Sequence, residues 1–143
     1  MFADTTAHLV EIPLESHDEL MSYVLGLSHL TNLAFAGVLA ESGLAFADLR
    51  AVASTTFNAQ LAVTRPVVDE NRELYYEIQA ENSFSAALIA KLRATLGAYA
   101  TAIQAADRPA FVALMQKSHG YLHPPGDETA GSPTGLPEPA PLG

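Results

Sequence analysis

"SHDELMSYVLGLSHLTNLAFAGVL", residues 16–39, is the stretch whose reading decides the fold. It is apolar at nearly every turn and contains no proline, so it reads as one long helix. Ser16 with Glu19 three residues later is the capping-box pattern, and Gly43 supplies the stop signal. A helix is therefore expected over about 17–41. Within it Ser22, Gly26, His29 and Asn32 recur at spacings of four, three and three, which puts them on one face. Such a stripe marks either a close helix crossing or a polar ligand. Gly26 costs about 1 kcal/mol relative to Ala inside a helix, so one of these uses should need the space.

Further helices follow outward from this one. A short helix is expected over about 46–53. "STT", residues 54–56, can cap another from about Phe57, in which Pro66 should kink or end the helix. "ENRELYYEIQAEN" gives a fourth, with Leu74, Tyr75 and Ile78 on one face; Tyr75, Tyr76, Glu81 and Asn82 are read as core packing plus a cap. A fifth is expected over about 84–105. "DRPAF" opens a sixth, with Asp107 as cap and Pro109 in its first turn, ending at Gly120. "HLVEIP", residues 8–13, is the stretch that reads as a strand, and it has no partner strand in the chain. The segment from Tyr121 is rich in Pro, Gly and small polar residues and is expected to be disordered. The expected organisation is an extended segment over 1–15, an all-α domain of about six helices over 16–120, and a tail over 121–143.

Composition narrows the function classes. The 143 residues are 49% hydrophobic and 16% charged, enough apolar content for one folded domain. The net charge is −9 with only seven Lys and Arg, which argues against nucleic acid and against an anionic membrane surface. With no cysteine there is no disulfide and no thiolate metal site. No secretory signal is expected at the N-terminus, and the apolar runs look interrupted before membrane-spanning length. The expectation is a cytoplasmic protein that does not engage membrane.

Few residues carry chemistry. "VLGLSHL" is not a phosphate loop, because its glycine is isolated inside a helix. His17 and His29 lie twelve apart, and His119 and His123 straddle a helix end, so no metal site is expected. Asp18 suits the first turn of a helix, while His17 at that end can face a cleft. His29, between Leu27 and Leu30, should be buried. Arg65 stands in an apolar helix and needs an anion, from the fold or from a carboxylated ligand.

Taken in order, the His17-Asp18 pair, the second histidine in "LSHL", the "STTF" helix start and "ELYYEIQAEN" resemble the C-terminal helical domain of prephenate and arogenate dehydrogenases, over residues 8–118. The resemblance implies an intertwined homodimer that closes a prephenate pocket, with nicotinamide carried by a separate N-terminal domain whose last strand "HLVEIP" resembles. It implies that the Ser22, Gly26, His29 and Asn32 face is helix crossing and pocket wall together. Two departures stand out. Asn32 occupies a position where many members have histidine. The family's carboxylate-binding arginine falls at Pro66, one residue after Arg65, a turn of about 100° on a helix.

The leading expectation is a stand-alone homodimer binding a carboxylated, prephenate-like cyclic metabolite, with no cofactor. Its chemistry would be elimination, decarboxylation or isomerisation, not NAD-dependent oxidation by this chain alone. His29 and His17 would be acid or base, Arg65 the carboxylate holder, and Ser22, Gly26, Asn32 and Tyr75 the remaining ligand contacts. The alternative is a non-catalytic dimerisation or regulatory subunit for a separate dinucleotide-binding chain, docked by strand addition at residues 8–13.

Overall fold

The computed structural model describes residues 13–125. Among them the chain is all-α and holds no strand. The stretch expected as a strand lies outside the described residues, apart from Pro13, as does the tail from Gly126.

The long helix begins earlier than the capping box implied. α1 spans Leu14–Met21 with Pro13 as its N-cap residue, and no side chain caps it. Ser16 sits inside the first turn, where its N–H donates to the Pro13 carbonyl at 2.9 Å. Pro13 explains the shift, since a proline ahead of the first turn loses no helical donor. The helix then widens to a π-helical segment, Ser22–Leu27, and continues as α2, Ser28–Glu41. It stops as expected, with Gly43 at φ +73° just beyond the C-cap Ser42. That is the left-handed position glycine takes without strain.

α3 spans Phe46–Ala51 and α4 spans Thr55–Asp69. Ser54 caps α4 by accepting the Phe57 N–H at 3.1 Å. The helix runs through Pro66 for one further turn instead of ending there. Proline removes only its own N–H, so the Ala62 carbonyl loses a partner while Glu70 N–H still reaches the Pro66 carbonyl at 3.1 Å. α5, Arg72–Ala80, is capped by Asn71, whose side chain accepts from the Glu73 and Leu74 N–H groups. α6 spans Ser85–Gln104, and α7, Arg108–Leu122, is capped by Asp107 accepting the Ala110 N–H at 2.9 Å. α7 passes through Gly120 rather than ending at it.

The chain divides into two compact units between Arg93 and Ala94. In the first, α2 packs along α4 and the π-helical segment packs on α5. Phe35 and Phe57 meet edge to face at 5.9 Å across the α2–α4 pair. In the second, Tyr99 and Phe111 do the same at 5.3 Å, and Ala102 is buried. The buried apolar side chains among the described residues are Leu61, Leu88 and Ala102 alone, while Val24, Val38, Val63, Leu96 and Ile103 are each more than half exposed.

The apolar run is not interrupted in the way the sequence suggested. The continuous helix over Ser16–Glu41 has an 18-residue window of mean hydropathy 1.4, long and apolar enough to cross a membrane. Its polar residues spoil the stripe less than their names imply. Ser22, Ser28 and Thr31 turn their hydroxyls back on carbonyls of their own helix, at 2.7–3.0 Å.

Candidate functional site

The polar stripe of the long helix divides into two pieces with different partners. Asn32 is buried and joins α2 to α4: its Oδ1 accepts from Gln60 Nε2 at 2.8 Å and from the Thr64 hydroxyl at 2.8 Å. Its Nδ2 donates to the Ser28 carbonyl at 2.8 Å. Both lone pairs of the Asn32 Oδ1 are used by α4 donors, so Asn32 is an interhelical tie. Ser22, 2% exposed, donates to the Glu19 carbonyl at 2.7 Å.

Gly26 and His29 face α5. The Gly26 carbonyl accepts from Gln79 Nε2 at 2.8 Å. A Cβ at Gly26 would meet Leu88 Cδ2 at 3.5 Å and Gln79 Oε1 at 3.9 Å, ordinary contact distances. The crossing therefore does not strictly require glycine. His29 stacks on Tyr75, ring centroids 4.4 Å apart and tilted 48°. It is partly rather than fully buried. Its Nδ1 is enclosed without a hydrogen-bond partner, as are Gln79 Oε1 and Ser85 Oγ. Desolvation lowers the His29 pKa below the usual imidazole value, which favours the neutral ring. The π-helical segment lies one turn before His29, and such widened turns recur at functional sites.

His17 lies elsewhere. It is exposed on α1 with Nδ1 3.2 Å from Asp18 Oδ1. Twelve residues of helix put it roughly 18 Å along the axis from His29, so the two do not meet within one chain. Asn82 ties that end down by donating to the Asp18 carbonyl at 2.8 Å, and its Oδ1 accepts the Phe84 N–H at 2.8 Å.

Arg65 lines a separate cavity of about 320 Å³ between α2, α3 and α4. Leu39, Leu44, Leu61 and Val68 form much of its wall, with Phe46 and Asp69 at hand. The guanidinium lies over the Phe46 ring, 5.5 Å from its centroid, a cation–π placement. His29 is not among the lining residues. The structure thus separates the histidine from the arginine that the sequence reading had grouped. Phe46 and Asp69 were missed; their signal was the α3 helix folding back on α4, with Asp69 one turn after Arg65. No group of three or more potential metal ligands occurs among the described residues.

The comparisons with known proteins bear on the chain as a whole. The family model described as "Prephenate dehydrogenase, dimerization domain" matches residues 13–117. Among curated proteins, a 4-amino-4-deoxyprephenate dehydrogenase of Streptomyces pristinaespiralis is 31% identical over 122 residues, 85% of this chain and 41% of the relative. The T-protein of Enterobacter agglomerans is 26% identical over 78% of this chain and 30% of its own length. A probable arogenate/prephenate dehydrogenase of Methanocaldococcus jannaschii is 29% identical over 53% of this chain and 17% of its own length. The chain therefore spans less than half the length of these relatives. No solved structure matches it significantly. A match over residues 13–117, which takes in nearly all of the described helices, shows that this chain belongs to the prephenate dehydrogenase dimerization-domain family.

Proposed function

We propose that this chain is a dimerising, ligand-enclosing helical protein of the prephenate dehydrogenase type, and that it binds a carboxylated six-membered-ring metabolite through Arg65. The observation that carries this reading is the α2–α3–α4 cavity. It is largely apolar and about 320 Å³ in volume, with one permanently charged guanidinium on its lining. The names of two relatives specify prephenate and its 4-amino-4-deoxy analogue, ring compounds of this type. A second copy of the chain covers the exposed apolar faces in this reading, and the assembly is a soluble cytoplasmic homodimer. The apolar Ser16–Glu41 helix is then an interface helix rather than a membrane span. Hydride transfer falls to a dinucleotide-binding unit working with it, because these residues contain no glycine-rich pyrophosphate cradle.

Calorimetric titration of the chain with prephenate tests the ligand. Binding that Arg65→Gln weakens by about 10- to 100-fold, the worth of one charge-assisted pair, supports it. Binding indifferent to that substitution counts against it.

One observation favours a catalytic version of the same reading. The Nδ1 of His29 is enclosed and has no hydrogen-bond partner within the fold. If His29 is an acid or base in cofactor-free elimination, decarboxylation or isomerisation, the chain alone consumes prephenate and His29→Gln lowers the rate by about 10²–10⁴. No turnover by the chain alone leaves the non-catalytic dimerisation role.

A further inference from the structure

We propose that His119 and His123 form a two-histidine site for a divalent transition-metal ion, of the copper(II) or nickel(II) type, on the last turn of α7.

The sequence argued against a metal here, because a helix ending at Gly120 would leave the two histidines on either side of its end. The structure removes that obstacle. α7 passes through Gly120 to Leu122, and His123 is its C-cap residue, with its N–H donating to the His119 carbonyl at 3.0 Å. The two side chains therefore stand one helical turn apart on one face. Both are exposed, yet their rings meet, with centroids 4.6 Å apart and planes tilted 39°.

That separation fits two ligands of one ion. A coordinated imidazole nitrogen lies about 2.0–2.1 Å from the metal, and its ring centre about 1.1 Å further out. Two such rings in adjacent positions have centroids about 4.5 Å apart at a right angle and about 5.2 Å apart at the tetrahedral angle. The spacing found matches the right angle, the arrangement of tetragonal copper(II) and nickel(II). Rotation about the final side-chain bond is soft for histidine. It can aim one nitrogen of each ring at a common point while the ring centres hardly move.

The surroundings favour a cation of this class. The pair stands at the negative end of the α7 dipole, in a chain of net charge −9. Imidazole nitrogen selects against calcium and magnesium, which take oxygen ligands. Among the described residues no third His, Cys, Asp or Glu joins the pair, so water completes the coordination and the site loads and releases its ion reversibly.

The test uses the full, untagged chain with copper(II), nickel(II) or zinc chloride in a non-chelating buffer. Calorimetry is expected to show one ion per chain, bound most tightly as copper(II). Copper(II) should broaden amide signals around the end of α7, and its paramagnetic resonance should show coupling to two imidazole nitrogens. His119→Asn and His123→Asn should each weaken binding by about tenfold or more, the loss of one ligand of two. His17→Asn, at the other exposed histidine among the described residues, should leave it unchanged. Lowering the pH from 7.5 to 5.5 should weaken binding by about tenfold or more, because protons compete for both imidazoles. Both side chains are exposed, so without metal the variants should keep the parent's melting temperature. If copper(II) binds both variants as it binds the parent, couples to a single imidazole, or broadens signals away from the end of α7, the assignment is overturned.

Discussion

Asn32 ties the α2–α4 crossing by hydrogen bonds that no apolar residue beside it can make. Its Oδ1 serves two donors, one of them the hydroxyl of Thr64, which is 3% exposed. Asn32→Ala should cost about 1–3 kcal/mol in urea unfolding, the penalty of stranding buried donors. Gly26 behaves differently. Since an added methyl meets only ordinary contacts, Gly26→Ala should leave stability unchanged or raise it by up to about 1 kcal/mol, the helix-propensity gain. A measured loss of several kcal/mol would show that the crossing needs the bare backbone. His29 adds a pH dependence. Its folded pKa is lowered from 6.5, so between that lowered value and 6.5 the unfolded chain binds the extra proton. Stability should therefore be full above pH 6.5 and fall as the pH drops through that window, levelling below the folded pKa. Melting curves from pH 8 to 5 should show this fall for the parent and lose it in His29→Gln. At this scale the stripe itself was legible, because helical period places its members on one face. Which use each member served was not legible. That depended on whether Gln60, Thr64, Tyr75 or Gln79 stood opposite, and all four come from elements distant in sequence.

At the scale of the element, caps were the most legible feature. Ser54 and Asp107 accept the N–H groups that their positions implied, because capping is local chemistry. The start of the long helix was misplaced for a related reason: Ser16 and Glu19 match a capping box, but Pro13 can open the helix one turn earlier. Widening to a π-helical segment at Ser22–Leu27 has no counterpart in the residue pattern. Pro66 was expected to kink or end its helix, and α4 continues past it to Asp69, a last turn that puts Asp69 on the lining of the same cavity as Arg65. Pro66→Ala returns an N–H to the Ala62 carbonyl and should raise the thermal midpoint, with a gain of about 1–3 kcal/mol set by the cost of proline inside a helix. If the midpoint falls instead, the proline bend is part of the packing against α2.

On the scale of the whole molecule, the distribution of apolar surface is the dominant fact. The long helix is apolar enough to span a membrane, yet only 6% of its most apolar window is buried within one chain. Leu20, Val24, Leu25 and Val38 on that helix are all exposed, as are Val63 on α4 and Leu96 on α6. A lone copy would present these residues to water, where contiguous apolar patches mark an interaction surface. The helical fold class was legible from the apolar period, but the covering of these faces was not, because it depends on a surface outside the chain. Membership of a dimerization-domain family points to a second copy as the cover. An interface of that kind should exceed the standard size of roughly 1,600 Å² and resemble a core cut in half. Substituting Val24 and Val38 together by Asp should then dissociate the assembly without unfolding α4. The most direct measurement is sedimentation equilibrium of the purified chain without detergent, from about 1 to 100 μM, a range in which obligate interfaces stay closed. The account predicts a single species of twice the chain mass across that range; a soluble, folded monomer at the top of it would contradict the account.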